Sequence, residues 1–195
     1  MITFFKPNKN QSGSLVNFSV AAGQPSNPEK EFKEGCVYCK VVKQTAWNEK
    51  THTGSFKGGD SLNVKLNMIE LGKMIATMES KIPFSTYHTG YDQNVGINFS
   101  VWRDKETKEE KGYGLIFSVA KGGEKNKFAV GFQPGEDVVL KKFCELAIEH
   151  IMMANYAEEK RRIKKSFANK NKTEPAAEST QENNELEDDS VFGEE

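Results

Sequence analysis

Between Val95 and Lys165 the chain alternates apolar and polar residues through three successive runs and then changes to the period of a long helix. That change of period constrains the fold most, because a repeat of two and a repeat of 3.6 each dictate which side chains can share a buried face. The spacing predicts strands over Gly96–Arg103, Tyr113–Lys121 and Lys127–Gln133, and helix from Asp137 onward. In Gly96–Arg103, Ile97, Phe99 and Val101 fall on one side, and Asn98, Ser100 and Trp102 on the other. This is a half-buried strand carrying an aromatic on its open face. The charged Asp104–Lys111, after which Gly112 and Gly114 flank Tyr113, and the Gly122–Lys125 stretch read as turns between the runs. The simplest arrangement is an antiparallel meander. Its buried face would be covered by a stripe of Val139, Phe143, Leu146, Ala147, His150 and Ala154 on a helix over Asp137–Arg162.

The first half repeats this order. Ile2–Lys6, Ser14–Ala22, Cys36–Thr45 and Ser61–Leu66 read as strands, and Asn67–Ser80 as a helix with Asn67 as N-cap and Glu70 completing a capping box. Met68, Leu71, Ile75 and Met78 form its apolar stripe, and Gly72 suggests close packing against the sheet. Gln24–Lys33 is a Pro- and Asn-rich loop, and Ala46–Asp60, without apolar periodicity, a long mobile hairpin connection. Pro83 separates this unit from the next strand, Phe84–Thr89. Asn17-Phe18-Ser19-Val20 recurs as Asn98-Phe99-Ser100-Val101 in the second strand of each unit, and Ile116-Phe117-Ser118-Val119 echoes it. An internal duplication follows, of the order ββββα.

Charge is distributed unevenly. From Glu174 to Glu195 there are nine acids and no Lys or Arg, so Met1–Thr173 holds 27 basic against 19 acidic residues, a net of +8. A basic body with an acidic tail points to a polyanionic partner. Tyr156–Lys172 alone carries seven positive charges, and the stretch from Asn169 is too polar to build a core, so disorder is expected there. No signal peptide or bilayer-spanning apolar run is present, which leads to the expectation of a soluble cytoplasmic protein without membrane partners. Cys36, Cys39 and Cys144 make no disulfide framework, and Cys36-Val-Tyr-Cys39 lacks a second ligand pair for zinc.

Catalytic chemistry finds no foothold: His52, His88 and His150 share no spacing, and Gly58-Gly59 and Gly122-Gly123 lack the context of a phosphate loop. We therefore expect a non-enzymatic protein with no cofactor and no metal. Binding a single-stranded polyanion needs a basic track and exposed aromatic faces for unpaired bases. The sequence interleaves both. Candidates are Tyr38, Lys40 and Lys43, then Trp47, Lys50, Phe56 and Lys57 in the long connection, then Trp102, Arg103, Tyr113, Lys121, Lys125 and Lys127, with Tyr87 and Tyr91 weaker. For Trp47 and Phe56 a satellite cluster beneath the loop is the competing reading. Phe18, Phe99, Phe117 and Phe143 are assigned to the core.

The duplicated ββββα order over Ile2–Arg162 resembles the Whirly proteins and the kinetoplastid mitochondrial RNA-binding proteins, whose repeated unit is that of the coactivator positive cofactor four. The resemblance implies an α+β fold with antiparallel sheets covered by helices, binding of single-stranded nucleic acid on sheet surfaces, and a homo-oligomer. The terminal Glu187-Asp188-Asp189-Ser190-Val191-Phe192 separately resembles the acidic tips of bacterial and phage single-stranded DNA-binding proteins, which implies docking of replication or recombination proteins through Glu187, Asp188, Asp189, Val191 and Phe192. Together these features look most like a phage-encoded single-stranded DNA-binding protein acting in the infected host cell. Its nucleic-acid-binding domain would span 1–168, as units of about 1–82 and 83–168, followed by a disordered acidic tail over 169–195. Two alternatives remain open at this point: an RNA-binding or transcription-regulating protein of the same fold, and a recombination-associated enzyme.

Overall fold

The computed structural model describes residues 1–23, 33–90, 93–104 and 106–173, with side chains through residue 168. The chain divides into a compact body, Met1–Glu159, and a second unit from Lys160, whose described part is helix.

In the body, β1 (Ile2–Lys6), β2 (Ser14–Ala21), β3 (Cys36–Lys43), β4 (Ala46–Asn48), β5 (Thr53–Ser55) and β6 (Ser61–Leu66) precede helix α1 (Met68–Ser80). Then β7 (Phe84–Thr89), β8 (Asn94–Arg103), β9 (Glu110–Lys121) and β10 (Glu124–Phe132) precede α2 (Glu136–Thr173). The strands form two four-stranded antiparallel sheets, β1-β2-β3-β6 and β7-β8-β9-β10, plus the two-stranded ribbon β4-β5. This is the duplicated α+β architecture. The ribbon is an insertion between the third and fourth strands of the first sheet.

Alternation decides what is buried. Val16 and Phe18 of β2, Val37, Cys39 and Val41 of β3, and Leu62, Val64 and Leu66 of β6 face inward, as do Ile97, Phe99, Leu115, Phe117, Phe128, Val130 and Phe132 of the second sheet. The inner faces meet around the Phe132 ring, whose centroid lies 5.1 Å from Phe4 and 6.4 Å from both Phe18 and Phe99. The Ser14 hydroxyl donates to the Ala129 carbonyl at 2.8 Å, joining β2 to β10.

Helix α1 begins with the expected capping box: Asn67 Oδ1 accepts from the Glu70 N–H and Glu70 Oε2 from the Asn67 N–H, both at 2.9 Å. The other carboxylate oxygen of Glu70 meets His88 Nε2 at 2.5 Å, tying α1 to β7. Three expectations are corrected here. A Cβ at Gly72 would meet nothing within 4 Å, so this glycine marks open space rather than close packing. On α2 the buried stripe is Leu140, Cys144, Ala147 and Ile151, while Val139, Leu146 and His150 are exposed. Ala147 is buried and Phe143 packs against Phe18 as expected, but the rest of the stripe is shifted by about a residue, because a helix apolar on more than one side gives its periodicity no unique phase. Finally, α2 runs on to residue 173, five residues into the stretch assigned to disorder.

The strands β9 and β10 are longer than their apolar alternation. Gly122 and Gly123 adopt φ of 56° and 86°, giving a two-residue hairpin turn that brings Lys121 opposite Glu124 and extends pairing into charged sequence. The 46–60 connection, expected to be long and mobile, contains the paired strands β4 and β5. Gln44 pins it: buried, its side chain accepts from the Asn8 N–H and donates to the carbonyls of Asn8 and Ala46, each at 2.9 Å.

Candidate nucleic-acid interface

Each sheet has one face turned away from the core, and its register sets which residues stand side by side. On the first sheet, Ser19, Tyr38 and Lys65 form one row across β2, β3 and β6, and Thr3, Asn17, Lys40 and Asn63 form the next. Tyr38 is 42% exposed, and Lys40 and Lys65 are exposed beside it. An aromatic with two flanking ammonium groups is suited to a stacked base and its neighbouring phosphates.

On the second sheet the corresponding row is Ser100, Gly114 and Gly131, without a side chain of any size on β9 or β10. Trp102 fills that space. A Cβ at Gly131 would lie 3.2 Å from ring carbons Cε3 and Cζ3 of Trp102, so the indole lies against β10 where only glycine leaves room. Trp102 remains 46% exposed, on the open face as its alternation predicts. The two sheets thus carry an exposed aromatic at matching places by different means, Tyr38 from the third strand and Trp102 from the second.

The basic candidates separate into two groups. Lys121, Lys125 and Lys127 cluster around the β9–β10 turn, and Lys43 approaches them. Lys43 is held by the protein itself: its ammonium lies 2.5 Å from Asn126 Oδ1, 3.7 Å from Asp60 Oδ2 and 4.8 Å from the Phe128 ring centroid. Three hollows adjoin here. One of about 440 Å³ is lined by Lys43, Lys127 and Phe128, one of about 270 Å³ by Lys121, Asn126 and Phe128, and one of about 430 Å³ by Tyr87, Lys125 and Lys127. Arg103 belongs elsewhere. It pairs with Glu110 at 3.3 Å, at the far end of β9 from Lys121, roughly 35 Å away along the strand. Lys81, at 2.5 Å, and then Arg103 hold the Glu110 carboxyl below the usual carboxylate range.

Tyr113 is corrected outright. Two and four residues before Leu115 and Phe117 on β9, Tyr113 shares their inward face; it is 8% exposed, stacked on Phe99 at 5.6 Å, with its hydroxyl donating to the Met78 carbonyl at 2.8 Å. Phe56 packs edge-on against Phe5, with centroids 6.3 Å apart. Trp47 lies beside His52, and its Nε1 is buried without a hydrogen-bond partner among the described residues. Lys50 and Lys57 are exposed around the same ribbon. Tyr91 and the tail residues Glu187, Asp188, Asp189, Val191 and Phe192 lie outside the described residues. Two open-face residues were missed, Phe5, 64% exposed, and Lys65. Alternation signals both: Phe4 and Phe5 cannot both face inward on a strand, and Lys65 sits between buried Val64 and Leu66.

Comparison with solved structures matches most of the chain. The plant transcriptional regulator PBF-2 superposes with a TM-score of 0.59 at 12% identity, over 82% of this chain and 88% of that one. WHY3 from Arabidopsis thaliana gives 0.59 at 11% identity, over 89% and 95%. WHY1 from the same plant gives 0.59 at 10%, over 85% and 93%. The fold is Whirly-like. No protein-family model matches the sequence, and no curated protein matches it. At these identities the Whirly-like likeness concerns the fold, so the two open faces and their lysines must carry the chemistry of the site.

Proposed function

We propose that this chain is a non-enzymatic single-stranded DNA-binding protein of the kind phages encode, coating DNA during replication or recombination in the host cytoplasm. The observation that carries this reading is the pairing of exposed aromatics with lysines on sheet faces: Tyr38 with Lys40 and Lys65, and Tyr87 with Lys125 and Lys127. Each base stacked on such a ring contributes roughly 1–3 kcal/mol whatever its identity, and each lysine–phosphate contact adds a salt-dependent, sequence-independent term. A surface built this way suits unpaired strands, whose bases are free to stack, better than a duplex. The acidic tail recruits replication or recombination proteins through Glu187–Phe192 and, without DNA, competes for the basic surface. Assembly of several copies along one strand accords with this coating role. Equilibrium binding of matched single-stranded DNA, duplex and RNA tests the proposal.

A further inference from the structure

Resting on that reading, we infer that the hollow beside Tyr87 is a subsite for one unpaired nucleotide, its base stacked on Tyr87 and its phosphate held by Lys125 and Lys127. The register places Tyr87, Gly96, Ser118 and Lys127 in one row across the four strands of the second sheet, and Thr89, Asn94, Ala120 and Lys125 in the next. An aromatic therefore stands at one side, two lysines at the other, and small residues make the floor between them. The resulting groove of about 430 Å³ falls within the size range of small-ligand sites. Tyr87 is 61% exposed, and its Cδ2 would be 3.9 Å from a Cβ placed on Gly96, so the ring leans toward the floor while keeping a face free. Asn94 and Ser118 add an amide and a hydroxyl to the lining, and among the described residues none that lines it is acidic.

The duplication supplies an internal comparison. Asn17 aligns with Asn98, so Phe5, Leu15, Val42 and Ser61 form the first sheet's counterpart of the Tyr87 row. There Leu15 and Val42 raise the floor, and the protein sets its own Phe56 edge-on against Phe5. In the second sheet Gly96 and Ser118 replace these two residues and leave a hollow. Both outer-strand aromatics stay exposed, but the Phe5 row has a raised floor and ends on Ser61, whereas the Tyr87 row has a low floor and ends on Lys127, which puts cations on the far wall of its groove. A planar ring carrying an anion is the ligand this combination takes, and a nucleotide of a single strand is such a group.

The test measures affinity of the full chain for fluorescein-labelled oligothymidylate and for a strand of the same length with abasic residues. Tyr87→Ala should weaken oligothymidylate binding roughly tenfold or more and leave the abasic strand unaffected, while Tyr87→Phe retains wild-type affinity. Ser118→Val, which copies Val42 of the first sheet, should weaken oligothymidylate binding with Tyr87 intact. Replacing Lys125 and Lys127 by Ala should reduce the salt slope on both strands by about 0.7, the contribution of the one phosphate they hold. Wild-type affinity for oligothymidylate in both Tyr87→Ala and Ser118→Val would overturn the subsite while leaving the proposed function standing. Failure of the wild-type chain to bind either strand would instead remove the function on which the subsite rests.

Discussion

Asn17 and Asn98 hold the same place in the two sheets: Asn17 Nδ2 donates to Thr3 Oγ1 and Asn98 Nδ2 to Ser85 Oγ, each at 2.8 Å, each to the residue directly opposite on the outer strand. Each asparagine precedes a fully buried phenylalanine, Phe18 or Phe99. The repeated tetrapeptide is thus a repeated piece of structure, with its polar members latching an edge strand and its apolar members filling the core.

These latches should make similar contributions. Asn17→Ala and Asn98→Ala are each expected to lower stability by about 0.5–1.5 kcal/mol, the range of a typical protein hydrogen bond, and to add when combined. Urea unfolding of the single and double variants measures this. A cost confined to one of the two sites would contradict their equivalence.

Trp102 should act in binding rather than in folding. Trp102→Ala is expected to weaken single-stranded DNA binding by about 1–3 kcal/mol irrespective of base sequence, with the thermal transition largely retained, because the ring is nearly half exposed. Gly131→Ala, which puts a methyl group against the indole, should shift the tryptophan emission and weaken binding in the same direction. Unfolding of Trp102→Ala would show the ring to be structural.

The ion pairs around Glu110 predict a pH dependence. Lys81 and Arg103 lower its carboxyl pKa in the folded state, so their stabilisation is present above the unfolded carboxylate pKa and is lost as pH falls through the folded value. Melting temperature should decline below about pH 4, and Glu110→Gln should make that decline shallower. The side chain is exposed, so the change is small. Identical acid profiles for wild type and variant would contradict the assignment.

The opposed charges of body and tail predict competition. Deleting 174–195 removes nine acids and should tighten single-stranded DNA binding at low salt, with the gain shrinking as salt screens the tail. Unchanged low-salt affinity after deletion would argue against competition.

Where one face of an element is cleanly apolar, the sequence was sufficient: β2, β6 and β8 alternate without ambiguity, and Asn67 with Glu70 announces the start of α1. Tyr113 was misplaced because the glycines on either side of it resemble a turn and masked the alternation that puts it on the inward face with Leu115 and Phe117. The phase of α2 was lost because Val139 and Leu146 are apolar yet exposed, so hydrophobicity alone favoured the wrong face. The β4–β5 ribbon leaves no periodic trace, because Gln44 and main-chain pairing hold it in place of an apolar stripe. The outward facing of single residues was readable, as the exposure of Tyr38 and Trp102 shows. Their assembly into rows was not, because joining Tyr87 to Lys127 needs the register of three strand pairs, and a slip of one residue would turn either side chain to the other face.

The most direct test of the central claim is equilibrium binding of an unstructured single-stranded DNA, its duplex and its RNA equivalent across a salt series. The account predicts a strong preference for the single-stranded DNA, with log affinity falling against log salt by about 0.7 for each phosphate neutralised. Equal affinity for all three, or binding to none, would contradict it.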